Sequence, residues 1–161
     1  MFSKIYTAPE INVDSIKYEK SIFLAGTIEM GNSHDWQKEA CELIEMQLDQ
    51  RSFKKICIYN PRRTKWESNL EQSIYNMIFN QQVNWELDCL DKSTHIIMYF
   101  DKNSKSPISL LELGLFAKSG KLHVICPEGF YRKGNIDIVC NNYRIPQYES
   151  LKELTHKIIY G

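Results

Sequence analysis

The feature that most constrains the fold of this chain is an alternation of short apolar runs with longer amphipathic segments. Each run is ended by turn-forming or polar residues, which is typical of buried parallel strands. The predicted strands span residues 21–25, 55–59, 94–100 and 123–126, with a candidate fifth strand at 136–139. The predicted helices span residues 36–48 after a possible cap at Ser33, then about 69–91, 108–118 and 150–159.

This alternation predicts a parallel sheet covered by helices on both faces: an α/β, single-domain, flavodoxin-like (Rossmann-type) sandwich with a five-stranded, mostly parallel sheet. Residues 1–19 are polar and contain Pro9, so we predict an N-terminal extension packed on a domain of residues 20–161. In such sheets the ligand lies beyond the carboxyl ends of the strands, where the strand order reverses. For a flavodoxin-like order, segments 26–31 and 101–112 should therefore meet at the site.

Charge and composition limit the classes of partner. The chain has 20 basic and 20 acidic residues, so no net field favours nucleic acid or a membrane surface, and we expect a small-molecule partner. The N-terminus shows no secretory pattern, and no run approaches the roughly 18 apolar residues of a membrane span, which predicts a soluble protein. Five cysteines without CxxC spacing, mostly in apolar segments, indicate buried reduced thiols and therefore predict a cytoplasmic protein.

Signals for metals and cofactors are weak. The four histidines have no metal-ligand spacing with one another or with cysteine, and His95 and His123 lie inside predicted strands. The sequence contains no G-x-G-x-x-G or Walker pattern, so dinucleotide and P-loop sites lose their main support. We therefore expect neither a metal nor a cofactor.

Glu112 is the first candidate for chemistry, because it follows the third predicted strand in the first turns of a helix. Pro107 is tolerated at the start of such a helix. The backbone N–H groups and the helix dipole there favour an anionic carboxylate, which would stay ionised and available for attack. The alternative is structural, since Ser109 and Glu112 also fit the S-x-x-E capping box.

Glu86 is the second candidate, on the long helix before the third strand. Val83, Leu87 and Leu90 surround it with apolar side chains, and Trp85 is its neighbour. Burial there would raise the pKa of Glu86 toward a value useful for proton transfer. The alternative is that Glu86 lies at the edge of a solvent-exposed face of the helix. One ionised and one protonated carboxylate form the usual device for substitution at an anomeric carbon.

Two basic clusters permit a phosphate site without requiring one. Arg62, Arg63 and Lys65 follow the second strand, and Arg132 and Lys133 lie in a later turn. Such clusters hold phosphates in some proteins and are solvated loops in others.

Several sequence blocks together resemble the nucleoside 2-deoxyribosyltransferase-like family, which is related to nucleoside-monophosphate N-hydrolases. The blocks are SIFLAG, WELDCL, MYF, SPISLLELGLFA and CPEGFYRKGNIDIVC, within about residues 21–145. In that family the Glu of the ELG motif is the nucleophile, which implies this role for Glu112. An acidic residue on the helix before strand three acts as general acid or base, which implies Glu86, where the transferases usually have Asp.

The resemblance also implies a set of substrate-binding residues. The glycine turn after the first strand lines the base and sugar pocket in that family, which points to Gly26 and Thr27; Trp85 is added as the neighbour of Glu86. Family enzymes form a homodimer or higher homo-oligomer in which an Asn completes a neighbour's site at or near the interface. Asn135 is the best match.

Ser106 departs from the transferase pattern, which has Asp six residues before the nucleophile. The related N-hydrolases carry Ser at that place, where it contacts phosphate. Ser106 therefore either binds a 5′-phosphate, with charge from Arg62, Arg63 or Lys133, or caps the helix ahead of Pro107.

The expected function is cleavage of the N-glycosidic bond of a 2′-deoxynucleoside or its monophosphate. Glu112 would form a covalent glycosyl intermediate, Glu86 would protonate the leaving base, and a second base would accept the sugar. The alternatives are a 2′-deoxynucleoside 5′-monophosphate N-hydrolase with water as acceptor, and a non-catalytic nucleotide-binding sensor or sequestering protein. A flavin-binding scaffold is weakened because residues 103–107 offer no phosphate-cradling loop.

Overall fold

The computed structural model describes residues 3–11, 16–28, 34–48, 55–63 and 69–161. The strands in this part of the chain are β1 (Ser3–Thr7), β2 (Lys20–Gly26), β3 (Ile56–Asn60), β4 (His95–Tyr99) and β5 (Leu122–Ile125). The helices there are α1 (Trp36–Gln47), α2 (Met77–Lys92), α3 (Pro107–Phe116), α4 (Lys133–Tyr143) and α5 (Leu151–Tyr160).

All five strands lie in one parallel sheet with the order β1-β3-β2-β4-β5. The chain moves from β2 to β3 on one side and then returns to place β4 on the other side of β2. The strand order therefore reverses between β2 and β4, where Gly26 pairs with Tyr99 at the carboxyl ends. The predicted α/β, flavodoxin-like architecture and its switch point are confirmed.

The prediction of a fifth strand at residues 136–139 is wrong, because these residues belong to α4. Ile136 and Cys140 are buried four residues apart, while Ile138 is 64% exposed, which is helical spacing rather than strand alternation. The fifth strand is β1 instead, which pairs with β3 at the sheet edge and comes from the segment predicted as an extension.

A short polar side chain caps the start of α1 and the start of α2, and α2 begins later than predicted. The Asp35 side chain caps α1 by accepting from the Lys38 N–H, whereas Ser33, the predicted cap, lies outside the described residues. The predicted helix at 69–91 begins only at Met77, because the Asn76 side chain accepts from the Phe79 N–H and starts α2 there.

The sheet has a hydrophobic core on each face. On one face, α2, α3 and α4 pack against strand residues that include Phe23 and Met98. On the other face, α1 and α5 pack against residues that include Ile22 and Ile97. The five cysteines are free and buried, as predicted. None of the helices in the described ranges has the length and apolar character needed to cross a membrane.

Candidate active site

The ends of β2 and β4 approach each other closely at the switch point. Gly26 has φ of +122°, and a Cβ at this position would lie 2.2 Å from the Tyr99 carbonyl oxygen. The next residue, Thr27, donates its backbone N–H to the same oxygen at 2.9 Å. Only glycine fits this approach, so Gly26 fixes the floor of the site and sets the direction in which Thr27 leaves the strand.

Three hydroxyl groups form a buried cluster between this turn and the start of α3. The Thr27 Oγ1 lies 2.6 Å from the Ser106 Oγ and 3.1 Å from the Ser104 Oγ, and the two serine hydroxyls are 2.7 Å apart. The Asp101 N–H donates to the Thr27 Oγ1 at 2.9 Å. The cluster ties the turn after β2 to the loop after β4, as the predicted meeting of these segments requires.

Ser106 occupies the N-cap position of α3 without capping it. Its side chain makes no cap hydrogen bond, because the hydroxyl is turned toward Thr27 and Ser104. Its φ and ψ of 46° and 53° are left-handed, which is costly for a residue other than glycine. The interpretation of Ser106 as a side-chain cap is therefore wrong. Strained backbone of this kind tends to occur at functional sites.

Glu112 is the sixth residue of α3 and is only 8% exposed. The capping-box alternative is wrong, because the helix begins at Pro107 and Ser109 is already its third residue. Among the described residues, none donates a hydrogen bond to the Glu112 carboxyl group. Burial, and secondarily the charge of Glu86, raise its pKa to about 8. The expectation of a readily ionised carboxylate is wrong, because the helix dipole acts mainly within the first turn and burial outweighs it.

Glu86 lies on α2, close enough to Glu112 for its charge to affect the pKa of that group. Burial raises the pKa of Glu86 to about 7, although the Gln82 amide and the Arg63 charge act in the opposite direction. The Gln82 Nε2 donates to the Glu86 Oε1 at 2.5 Å. The predicted rise in the pKa of Glu86 is confirmed, and at neutral pH the two carboxyl groups can together hold one proton.

Arg63 reaches the same region from the segment after β3. Its Nε donates to the Gln82 Oε1, and its positive charge stabilises the ionised form of Glu86. Its Nη2 is buried and has no hydrogen-bond partner in the described part of the chain. A buried donor without a partner is costly, so this nitrogen is suited to donate a hydrogen bond to an oxygen or nitrogen acceptor of a ligand.

Two of the other cations considered for a phosphate are held by protein groups, and Lys65 lies outside the described residues. The Arg62 Nε donates to the Gln37 Oε1 at 3.1 Å and lies 3.5 Å from an Asp35 oxygen, which anchors the start of α1. Lys133 pairs with Asp137 at 3.0 Å, one turn further along α4. Of the candidate cations within the described ranges, Arg63 is therefore the one that acts on a carboxylate of the site.

Two predicted substrate-binding residues lie apart from this group. Trp85 is 8% exposed, packs against Phe23 and Tyr59, and donates its Nε1–H to the Glu10 carbonyl at 2.7 Å. It therefore belongs to the core beneath Glu86. Asn135 is exposed on α4, and none of the described residues forms a side-chain hydrogen bond with it.

The sequence analysis missed Gln82 and Ser104. Gln82 lies four residues before Glu86 on α2, so helical spacing could have identified it as a neighbour. Ser104 carried no signal, because its role depends on the loop that folds back to Thr27. In the part of the chain that the structure describes, no group of three or more His, Cys, Asp or Glu side chains could hold a metal ion.

The fold and the site define a class of protein: a doubly wound α/β protein with one buried and one half-buried carboxylate, Glu112 and Glu86, at its switch point. The sequence model of the family described as "Nucleoside 2-deoxyribosyltransferase like" matches residues 19–130, more than half of the chain. The protein therefore belongs to that family. The match covers the turn after β2, both carboxylates and the hydroxyl cluster, and it ends before Asn135.

A solved structure supports the fold. The crystal structure of a conserved protein from Enterococcus faecalis V583 superposes with a TM-score of 0.59 at 11% sequence identity. The alignment covers 87% of this chain and 97% of that one. At this identity the similarity concerns the fold alone. No curated protein matches the chain.

Proposed function

We propose that this protein cleaves the N-glycosidic bond of a 2′-deoxynucleoside or its 5′-monophosphate and transfers the deoxyribosyl group to another base. The observation that carries the proposal is a pair of interacting carboxyl groups at the switch point, the buried Glu112 and the half-buried Glu86. Their type and arrangement suit displacement at an anomeric carbon. Membership of the nucleoside 2-deoxyribosyltransferase-like family supports the same substrate class.

The proposed reaction has two steps. In the first, a carboxylate oxygen of Glu112 bonds to C1′ while the bond from C1′ to the base nitrogen breaks. The leaving nitrogen keeps the electron pair and takes the proton of Glu86. In the second, a nitrogen of the incoming base bonds to C1′, the ester to Glu112 breaks, and Glu86 takes the N–H proton of that base. Both carboxyl groups thereby return to their starting states.

The acid–base state of the pair fits this scheme. With pKa values of about 7 and 8, the pair holds one proton in the interval between them. The reactive arrangement has that proton on Glu86 and the charge on Glu112. Positive charge that develops at C1′ in the transition state favours the ionised form of Glu112, so substrate and transition state select this arrangement.

Hydrolysis of a monophosphate is a second candidate, and one observation favours it. Thr27, Ser104 and Ser106 present neutral hydroxyl groups beside the N-terminus of α3. Where the transferases have a carboxylate, which would repel a phosphate, this chain has the Ser106 hydroxyl and the favourable end of a helix dipole. Water would then replace the acceptor base in the second step.

The two candidates are separated by their products. Purified protein is incubated with deoxyinosine and adenine, and separately with each deoxynucleoside monophosphate, and products are followed by chromatography. Deoxyadenosine would identify a transferase, whereas free base with deoxyribose 5-phosphate would identify a hydrolase. Calorimetric binding of a nucleotide without release of base over hours would identify a non-catalytic binder and contradict both.

We propose that the protein acts as a homodimer or higher homo-oligomer with α3 at or near the interface. Ile108, Leu111 and Leu115 are each about 60% exposed and lie on one face of the helix that carries Glu112. An apolar stripe of this kind favours association. In this arrangement Asn135, exposed on α4, is available to a neighbour's site.

Sedimentation of the wild-type protein and of Leu111→Glu tests this assembly. A charge in the stripe should convert the oligomer to a monomer, whereas Met46→Glu, at an exposed apolar residue of α1, should not. A wild-type protein that is monomeric at micromolar concentration would contradict the proposal.

A further inference from the structure

We infer that Gln82 is a positioning residue that holds the carboxyl group of Glu86 in one orientation and joins it to Arg63; the inference rests on the proposed function. Gln82 is 6% exposed, although glutamine is usually a surface residue. Its side-chain amide uses both ends: the Nε2 donates to the Glu86 Oε1, and the Oε1 accepts from the Arg63 Nε.

The orientation of this amide is fixed by the chemistry of its partners. Arg63 can only donate, so the oxygen of Gln82 must face it. The Pro61 carbonyl can only accept, and it lies 3.3 Å from the Gln82 Nε2. Two independent partners therefore require the same assignment, which directs an N–H of Gln82 to Glu86 and leaves no freedom for the amide to flip.

The consequence for Glu86 is that its two oxygens are not equivalent. The Oε1 accepts the Gln82 N–H, so a proton held by Glu86 is placed on Oε2. Only the oxygen that does not face Gln82 can then act as the acid toward a leaving base. Gln82 also restricts rotation of the carboxyl group, which matters because proton transfer requires a defined geometry.

Among the residues that the structure describes, few other charged or titratable groups affect Glu86. Arg63 lowers its pKa, and Glu112 on α3 interacts with it through charge. The nearby thiol of Cys89 stays neutral, because burial raises its pKa to about 12. In this setting the hydrogen bond from Gln82 stabilises the ionised form of Glu86, so its loss should raise the pKa of that group.

Two substitutions and one control test this role. Gln82→Leu removes both hydrogen bonds, whereas Gln82→Glu keeps the shape and the acceptor for Arg63 but cannot donate to an ionised Glu86. The near-identical shape of Gln82→Glu keeps the test readable if Gln82→Leu does not fold. Gln81→Leu is the matched control, because Gln81 is the preceding residue of the same type and is exposed.

Two readouts are needed. In the wild type and each variant, kcat and KM are measured between pH 5 and 10 on the deoxynucleoside that the wild-type enzyme cleaves. The Glu86 carboxyl group is titrated separately by carbon-13 NMR of glutamate-labelled protein, with Glu86→Gln used to assign the signal. We expect kcat at pH 7 to fall by about tenfold or more in both Gln82 variants, with a smaller change in KM.

The descending alkaline limb of the rate profile should move to higher pH in both variants, together with the NMR titration of Glu86. Loss of packing alone would lower activity without moving that limb. Unchanged kcat and an unchanged Glu86 titration in Gln82→Glu would overturn the inference. If the wild type cleaves no nucleoside but the Glu86 titration shifts in the Gln82 variants, the proposed function fails and the contact between Gln82 and Glu86 stands. If the wild type is active and the Gln82 variants change neither kcat nor the Glu86 titration, the proposed function stands and the inference about Gln82 fails.

Discussion

The two ends of the parallel sheet hold ionisable side chains with little exposure to solvent, half-buried histidines at the amino end and the buried Glu112 at the carboxyl end. The two ends differ in how the polar atoms of these side chains are hydrogen-bonded. At the amino end, His95 Nδ1 lies 3.1 Å from His123 Nε2, and His123 Nδ1 lies 3.0 Å from the Tyr148 hydroxyl. At the carboxyl end, Glu112 receives no hydrogen bond from any described residue. Both ends favour the neutral form: burial lowers the pKa of His123 to about 4 and raises that of Glu112 to about 8.

The difference lies in what surrounds the neutral group. His95 is hydrogen-bonded to His123, and His123 is hydrogen-bonded to the Tyr148 hydroxyl, so these polar atoms are paired within the protein. Glu112 and the Arg63 Nη2 have no such pairing in the described ranges. A shifted pKa alone therefore does not distinguish the two ends of the sheet, whereas the pairing of the polar atoms around the shifted group does.

Replacement of the unpaired carboxyl group should have the largest effect on activity. Glu112→Gln keeps the shape of the side chain but removes the nucleophile, so we expect deoxyribosyl transfer or hydrolysis to fall by about a thousandfold or more. Glu42→Gln, at an exposed glutamate of α1, should retain the wild-type rate. Equal rates for Glu112→Gln and the wild type would remove the covalent mechanism.

The pH dependence should show that the two carboxyl groups act together. Below about pH 7 both are protonated and no nucleophile is present, and above about pH 8 both are ionised and no acid is present. The rate should therefore be bell-shaped with its maximum between these values. In Glu86→Gln the rate should fall by about a hundredfold and the alkaline limb should disappear. A persistent alkaline limb in that variant would assign the acid to another group.

Replacement of Glu112, which should abolish activity, should stabilise the folded protein. The pKa of Glu112 is raised from 4.5 to about 8, so the folded protein binds this proton more tightly than the unfolded chain. Its contribution to stability therefore decreases as pH rises from about 4.5 to 8. Glu112→Gln should raise the Tm by about 5 °C at pH 8, with the gain disappearing near pH 5, as measured by calorimetry. A lower Tm for Glu112→Gln than for the wild type at pH 8 would contradict the inference that burial of the ionised Glu112 carboxyl group destabilises the fold.

The smallest effect should come from the paired histidines. Tyr148→Phe removes the hydroxyl that bonds His123, so we expect a loss of about 1 kcal/mol in the free energy of unfolding and unchanged activity. Denaturant unfolding of this variant and of Tyr143→Phe, at a more exposed tyrosine of α4, measures the difference. A fall in kcat for Tyr148→Phe at wild-type stability would mean that the amino end also serves the reaction.

The sequence predicted four of the five strands, because each is an apolar run between turn-forming residues. It failed at residues 136–139, where three apolar residues and one aspartate in so short a segment do not distinguish strand from helix. It also failed at β1, which is a mostly polar edge strand whose pairing with β3 depends on a partner distant in sequence. Glu112 and Glu86 could be proposed from their positions on predicted elements, whereas Gln82 and Ser104 could not be assigned roles without the contacts they make.

The sequence by itself determined the strand–helix alternation, the switch point between β2 and β4 and the two carboxylates placed near it, because periodicity and residue type are local properties. Only the tertiary structure decided the protonation behaviour of Glu112, the turning of the Ser106 hydroxyl toward Thr27 and the unpaired nitrogen of Arg63. These depend on burial and on partners from other elements. Desolvation in the folded core outweighed the helix dipole that the sequence indicated.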